Sequence, residues 1–126
     1  MTPSPFLQKK RNAYRKGVWA ERLAAFYLRC LGYRILARRL RGYGGEADIV
    51  AQKGDVIVVC EVKFRRTKDA AAYAVTPAQQ ARLRRGGEYA LARFGVSNAR
   101  LRFDAVLFSF NALPTHLRNV IGDGNG

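Results

Sequence analysis

The stretch GGEADIVAQKGDVIVVCEVKFRR, residues 44–66, decides how this chain folds. Two runs rich in Val and Ile, Glu46–Gln52 and Asp55–Phe64, flank Lys53-Gly54. That pattern predicts two antiparallel strands joined by a tight hairpin. Alternate side chains of a strand share a face, so Glu46, Asp48 and Val50 point one way. On the second run Ile57, Val59, Glu61 and Lys63 share a face, and Val56, Val58, Cys60 and Val62 take the other. With Lys53-Gly54 as a two-residue turn, Gln52 faces Asp55, Asp48 lies opposite Val59 and Glu46 opposite Glu61. Asp48 and Glu61 are then diagonal neighbours with α-carbons about 7–8 Å apart, so that both carboxylates can reach one ion. A slip of one residue would turn Asp48 to the other face and dissolve the cluster.

Working outward, Asn12 to Leu31 reads as a helix. Trp19, Leu23, Phe26 and Cys30 recur at steps of four, three and four on one face, with Arg15, Arg22 and Arg29, seven apart, as a basic stripe elsewhere. Gly32 ends this helix. Tyr33–Leu40 suits a first strand, broken by Gly42, Gly44 and Gly45. Downstream, Arg65–Val75 reads as a loop. Thr76-Pro77-Ala78-Gln79 is a strong helix start, with Thr as N-cap, Pro in the first turn and Gln three residues after the cap. The second helix should reach about Phe94, weakened in its middle by Gly86-Gly87. Arg100–Phe110 alternates as a strand, and Leu117–Ile121 suits a short edge strand. The order α-β-β-β-α-β describes an α/β fold, a mixed sheet flanked by helices. No Gly-rich strand-to-helix turn marks a doubly wound nucleotide-binding fold.

The 126 residues suit one domain, residues 1–126, with 1–11 and 122–126 expected as flexible ends. There are 23 Lys and Arg against 9 Asp and Glu, a formal charge of +14, and 17 of the cations are Arg. Such a surplus points to a polyanionic partner, and the planar Arg fork favours phosphate; a generally basic protein is the plainer alternative. The start has no apolar signal region, and the longest apolar run, Val56–Cys60, is too short for a bilayer. No membrane association is therefore expected. Cys30 and Cys60 sit among apolar neighbours and read as small core residues, which fits a reducing cytoplasm.

Against this basic background, three of nine acids, Glu46, Asp48 and Glu61, are put together on one face of the hairpin. Like carboxylates facing each other repel unless compensated. A hard divalent cation such as Mg2+, with Mn2+ able to substitute, prefers oxygen ligands and would supply the charge. Lys63 could orient or deprotonate a water, or stabilise charge on a phosphate. Those parts make a metal-assisted phosphodiesterase. A solvated strand face with Glu–Lys pairs is the alternative for the Glu61-x-Lys63 fragment taken alone.

Asp48 followed thirteen residues later by Glu61-Val62-Lys63 resembles the metal-binding core of the PD-(D/E)XK, or restriction-endonuclease-like, superfamily. The resemblance extends to the YraN-like bacterial family, an uncharacterised group similar to archaeal Holliday junction resolvases. It is carried by Gly17-x-x-Ala20-Glu21, Gly32-Tyr33-Arg34-Ile35-Leu36, Gly45-Glu46-x-Asp48-Ile49-Val50-Ala51, Glu61-Val62-Lys63-x-Arg65, Arg102-Phe103-Asp104 and His116-Leu117-Arg118-Asn119. These span nearly the whole chain in order. The resemblance implies a metal-dependent endonuclease acting on DNA, on branched recombination or repair intermediates. It also implies Asp48 and Glu61 as metal ligands with the Val62 carbonyl as a third oxygen, Lys63 as catalytic lysine, Glu21 completing the site, and a two-fold homodimer. Glu21 also stands out locally, because its helical neighbours Gly17, Val18, Ala24 and Ala25 offer no ion-pair partner; an exposed helical Glu is the other reading. Two departures bear on activity rather than fold: Ala47, not proline, precedes Asp48, and Gln79-Gln80 stands where relatives often carry lysine.

The basic blocks lack any recognition-helix or zinc-finger pattern, so contacts to phosphates are expected rather than base readout. Arg38, Arg39, Arg41, Arg65, Arg66 and Arg82 are the candidate phosphate contacts, with Gln79, which also has a capping explanation. Tyr43 either stacks on a base or anchors its loop. Asp104 and the single His116 read as structural. A nucleic-acid-binding protein of the same fold without turnover is the alternative function. RNA is a weaker partner than DNA.

Overall fold

The computed structural model describes residues 5–64, 76–95, 99–109 and 113–121, with side chains from residue 17 onward. The expected loop at Arg65–Val75 lies outside those residues, as do residues 1–4 and 122–126 at the ends. The described elements are α1 (Pro5–Cys30), β1 (Arg34–Gly42), β2 (Gly45–Lys53), β3 (Val56–Phe64), α2 (Pro77–Phe94), β4 (Arg100–Phe108) and β5 (Thr115–Leu117). They follow the expected α-β-β-β-α-β order, with β5 appended. One five-stranded sheet runs β1-β2-β3-β4-β5, antiparallel except for the parallel β3–β4 pair. A parallel neighbour requires a crossover, and the segment containing α2 supplies it.

Helix α1 begins at Pro5 rather than Asn12, because Leu7, Gln8, Lys9, Lys10 and Arg11 are all good helix formers and proline suits a first helical position. It stops at Gly32, which has φ of +94° and donates its N–H to the Arg29 carbonyl at 2.9 Å. The face that α1 lays on the sheet is built from Ala20, Ala24, Ala25 and Leu28, all buried against Ile49, Ala51, Val58, Cys60 and Val106. The larger side chains of the 4-3-4 pattern, Trp19, Leu23 and Phe26, share a face as expected, but that face is open to solvent, and Cys30 is exposed rather than a core residue. Only Cys60 is buried. Periodicity located the apolar face, while the smaller alanine face is the one that fits close against the sheet.

Helix α2 covers the opposite side, over Ala47, Val50, Ile57, Val59 and Phe103. Its start is as expected: the Gln79 N–H donates to Thr76 Oγ1 at 3.2 Å, and the Thr76 N–H donates back to Gln79 Oε1 at 2.9 Å. The Gly86-Gly87 pair, a weakness for an isolated helix, is a packing requirement here. A methyl at Gly86 would lie 2.7 Å from the Glu46 carbonyl oxygen, and one at Gly45 would lie 2.2 Å from the Gly86 nitrogen. Backbone thus touches backbone where α2 crosses β2.

Both hairpins use left-handed residues. Tyr43 and Gly44, with φ of +58° and +73°, form the β1–β2 turn, as a primed turn requires. The β2–β3 turn differs from expectation by one position: Lys53 pairs with Val56, so Gly54-Asp55 forms the turn, with Gly54 at φ +60°. Contacts outside the hairpin explain the shift. Asp55 accepts the Arg100 N–H at 2.8 Å on its carbonyl and an Arg100 guanidinium bond at 3.3 Å on its carboxylate, while Lys53 donates to the Leu31 carbonyl at 2.7 Å. The resulting register is two residues from the expected one, an even step, so the paired residues Ile49–Lys53 and Val56–Cys60 keep their expected faces. Ala47 departs from the alternation and packs with Val50, Ile57 and Val59 under α2. Strand β5 occupies Thr115–Leu117 rather than Leu117–Ile121. Asn119 takes φ of +58°, and Val120 donates to the Phe103 carbonyl at 2.7 Å, ending the extended run.

Asp104, fully buried on β4, anchors that edge. It accepts two bonds from Arg102 at 2.9 and 2.8 Å, one from His116 Nε2 at 2.8 Å and one from the Asn119 N–H at 3.0 Å. Burial pushes its pKa up, but the bonds from His116, Arg102 and Asn119 outweigh it and bring the carboxyl to about 2. Asp104 and His116 are therefore structural, as their sequence context suggested.

Gly86→Ala should lower stability by about 1–3 kcal/mol in urea unfolding although alanine is the better helix former, since the added methyl meets backbone that cannot move aside. Gly17→Ala, where a methyl meets nothing within 4 Å, should instead be neutral or stabilising by up to ~1 kcal/mol.

Candidate active site

The carboxylates gather at the end of the sheet where β2 and β3 part, in hollows that reach both α2 and α1. The β2–β3 ladder is described from Lys53↔Val56 to Ile49↔Cys60. Beyond that point the strands part, and Val59 pairs with Val50 rather than with Asp48 as expected. Here a side chain takes over from the backbone: the Val62 N–H donates to Asp48 Oδ2 at 2.7 Å. Burial raises the Asp48 carboxyl to about 6, the Val62 bond offsets part of this, and the nearby charges of Glu21 and Glu61 raise it further against a smaller lowering by Lys63.

A hollow of about 100 Å3 opens beside these groups, lined by Glu46, Asp48, Glu61, Lys63, Gln79, Arg82 and Leu83. All but Leu83 are residues singled out from the sequence. A neighbouring hollow of about 230 Å3 shares Glu46 and Asp48 and adds Glu21, Arg39 and Arg41. Glu21, on α1, is thus brought to the same group of acids. Its partner comes from β1 rather than from its own helix: Arg39 Nε lies 2.8 Å from Glu21 Oε2. The β1–β2 register brackets Arg39 opposite Asp48, between Arg38↔Ile49 and Leu40↔Ala47, and Arg39 holds a left-handed φ of +55° there. Such a conformation in a non-glycine residue is sparsely populated and collects at functional sites.

The other acids also meet cations. Lys63 Nζ lies 3.2 Å from Glu61 Oε1, and Glu46 lies 3.5 Å from Arg41 and 3.6 Å from Arg82. Arg38 is exposed and, with Arg22, Arg39 and Glu21, lines a third hollow of about 450 Å3. Gln79 keeps both of its roles in geometry, closing the capping box while lining the carboxylate hollow. Tyr43 meets Tyr89 edge-on with centroids 5.1 Å apart, yet remains 61% exposed, so loop anchoring and an open ring face coexist. Arg65 and Arg66 lie outside the described residues. The Arg39–Glu21 pair had no local signal, because its members are 18 residues apart on different elements.

Among the described residues, no three His, Cys, Asp or Glu groups gather closely enough to hold a metal by themselves. Magnesium does not require such a group: it commonly takes one or two carboxylates and retains waters. Asp48, half-buried and raised by that burial and by its acidic neighbours, together with Glu61 fits that demand. Among the described residues no helix is long and apolar enough to cross a membrane.

A family model described as "Uncharacterised protein family UPF0102" matches residues 20–108, a span that contains Glu21, Glu46, Asp48, Glu61 and Lys63. The chain is 48% identical over 114 residues to a UPF0102 protein of Rhodopseudomonas palustris, covering 90% of this chain and 88% of that one. It is 46% identical over 106 residues to a UPF0102 protein of Parvibaculum lavamentivorans (83% and 80% covered), and 47% identical over 106 residues to one of Bradyrhizobium diazoefficiens (83% and 80% covered).

Asp48→Asn tests the electrostatics in chelator-treated protein. A carboxyl raised to about 6 from 3.8 holds its proton more tightly when folded, so wild-type stability should fall as pH rises from about 4 to about 6 and stay level above. Asparagine keeps an acceptor for the Val62 N–H and carries no charge. The variant should match the wild type near pH 3.5 and exceed it at pH 7.5 by up to about 3 kcal/mol in urea unfolding. A gap independent of pH would contradict the site described above.

Proposed function

The chain belongs to the UPF0102 family, a PD-(D/E)XK-like family, and from its carboxylate pocket we propose a metal-dependent phosphodiesterase acting on DNA, with branched recombination or repair intermediates as substrate. The observation that carries this reading is the raised, half-buried Asp48 beside Glu61 and Lys63 in a chain of charge +14. Asp48 and Glu61 would hold Mg2+ or Mn2+. A strand residue turns its N–H and its carbonyl to the same neighbour, so the Val62 carbonyl, whose N–H already meets Asp48, is a suitable third oxygen. When bound, the ion would supply Lewis-acid activation of a phosphate and of a water.

The chain's own residues do the rest. Lys63 sits at the mouth of the pocket on the same strand as Glu61, in reach of a water or a phosphate oxygen. Glu21, held by Arg39, adds negative charge that favours a bound cation. Arg38, Arg41 and Arg82 line the approaches, where they would neutralise a phosphate backbone otherwise repelled by four acids.

One observation favours a second reading, a DNA-binding protein without turnover. Glu21, Glu46 and Glu61 each already face a protein cation, which lessens the demand for a metal.

Purified protein should nick or cut at least one member of a panel of linear, flap, fork and four-way DNA in Mg2+ or Mn2+. Lys63→Ala and Glu61→Ala should each lower that rate by about 10²-fold or more while leaving DNA binding in place. Cleavage unchanged in both variants would assign the activity to a contaminant. Salt-dependent binding without cleavage of any substrate would select the second reading.

A further inference from the structure

The open face of α1 lies apart from the carboxylate pocket. Trp19 is 64% exposed, Leu23 45% and Phe26 65%, and Cys30 is also exposed. With Tyr27, Phe64, Phe108 and Pro114 these residues wall an apolar groove of about 560 Å3. Contiguous exposed apolar surface on a soluble domain marks an interaction site far more often than isolated exposed residues do. The spacing says what shape fits. Steps of four, three and four are the a/d seam by which one helix packs on another, narrower than the stripe a helix presents to a domain core. The core-facing stripe of α1 is the separate one at Ala20, Ala24, Ala25 and Leu28.

Charge selects among helical occupants. Arg22 and Arg29, both exposed, each immediately precede a seam residue and so border the seam along one edge. In heptad terms they are the flanking positions that set partner choice. In an antiparallel pairing of two copies of this chain those edges would meet, arginine against arginine. In a parallel pairing each would face the partner's opposite edge, which carries Ala20 and Tyr27 and packs on its own sheet. Both arrangements set a chain of charge +14 against itself. We propose that this groove docks an amphipathic helix from another protein, apolar along an i, i+3, i+4, i+7 seam and acidic along the flank that meets Arg22 and Arg29.

Trp19 is the chain's single tryptophan, so its emission reports on the groove alone. Cys30 lines the groove while Cys60 is fully buried, so alkylation of the native protein reports on the groove as well. The probes are two synthetic 21-residue helices with leucine at the seam, one flanked by glutamate and one by lysine. The acidic peptide should bind saturably, shift Trp19 emission to the blue and slow Cys30 alkylation, and the basic one should bind at least about 10-fold more weakly. Arg22→Glu/Arg29→Glu should reverse that preference. Arg93→Glu/Arg118→Glu, which changes net charge equally on exposed residues elsewhere, should leave it within about 3-fold. Equal binding of both peptides, no binding, or equal loss in both double variants overturns the proposal. So does a dimer in sedimentation velocity that Phe26→Asp dissociates, which assigns the groove to a second copy. A Trp19 shift seen only with phosphatidylglycerol vesicles assigns it to a lipid surface and overturns it equally.

Discussion

The closest constraint in this fold is the crossing of α2 over β2, where Gly45 and Gly86 bring two backbones into contact with no side chain between them. That contact sets the height of Arg82 and Gln79 above the sheet and thereby closes one wall of the carboxylate hollow. A methyl at either glycine would lift the helix, and the arginine above Glu46 would leave with it. Two glycines that weaken α2 as an isolated helix are what allow it to act as the roof of the site.

Within that frame the charges are arranged by contrast. The surface carries a large cationic surplus, while four acids meet at the splayed end of β2 and β3. Three of them face arginine or lysine side chains. Asp48 takes its hydrogen bond from a neutral backbone N–H, and burial makes its ionised form costly. Folding therefore holds a carboxylate in a place that disfavours its charge, a condition found more often where chemistry is done than where stability is gained.

The hairpin shows how far a sequence can be read. Alternation assigns the faces of the paired residues Ile49–Lys53 and Val56–Cys60, because the pleat has a period of two, and it fails at Ala47, beyond the end of the β2–β3 ladder. The register itself was off by two residues. Its decisive contacts, Arg100 on Asp55 and Lys53 on the Leu31 carbonyl, come from elements outside the hairpin. The difference leaves the site intact because it is even; an odd slip would disperse the carboxylates. The Thr76 cap was legible for the opposite reason, since all its partners lie within four residues.

Helix α1 marks the boundary between the two kinds of information. By itself the sequence determined the element order, the strand faces, the capped start of α2 and the meeting of Asp48, Glu61 and Lys63, all consequences of local backbone geometry. It also determined that Trp19, Leu23, Phe26 and Cys30 share a face. Tertiary structure alone decided that this face stays open, that Arg39 holds Glu21 and that Asp104 binds His116. The physical reason is that periodicity orders side chains around one helix, whereas burial depends on which face fits the volume of the sheet it meets, and here the alanines fit closer than the aromatics.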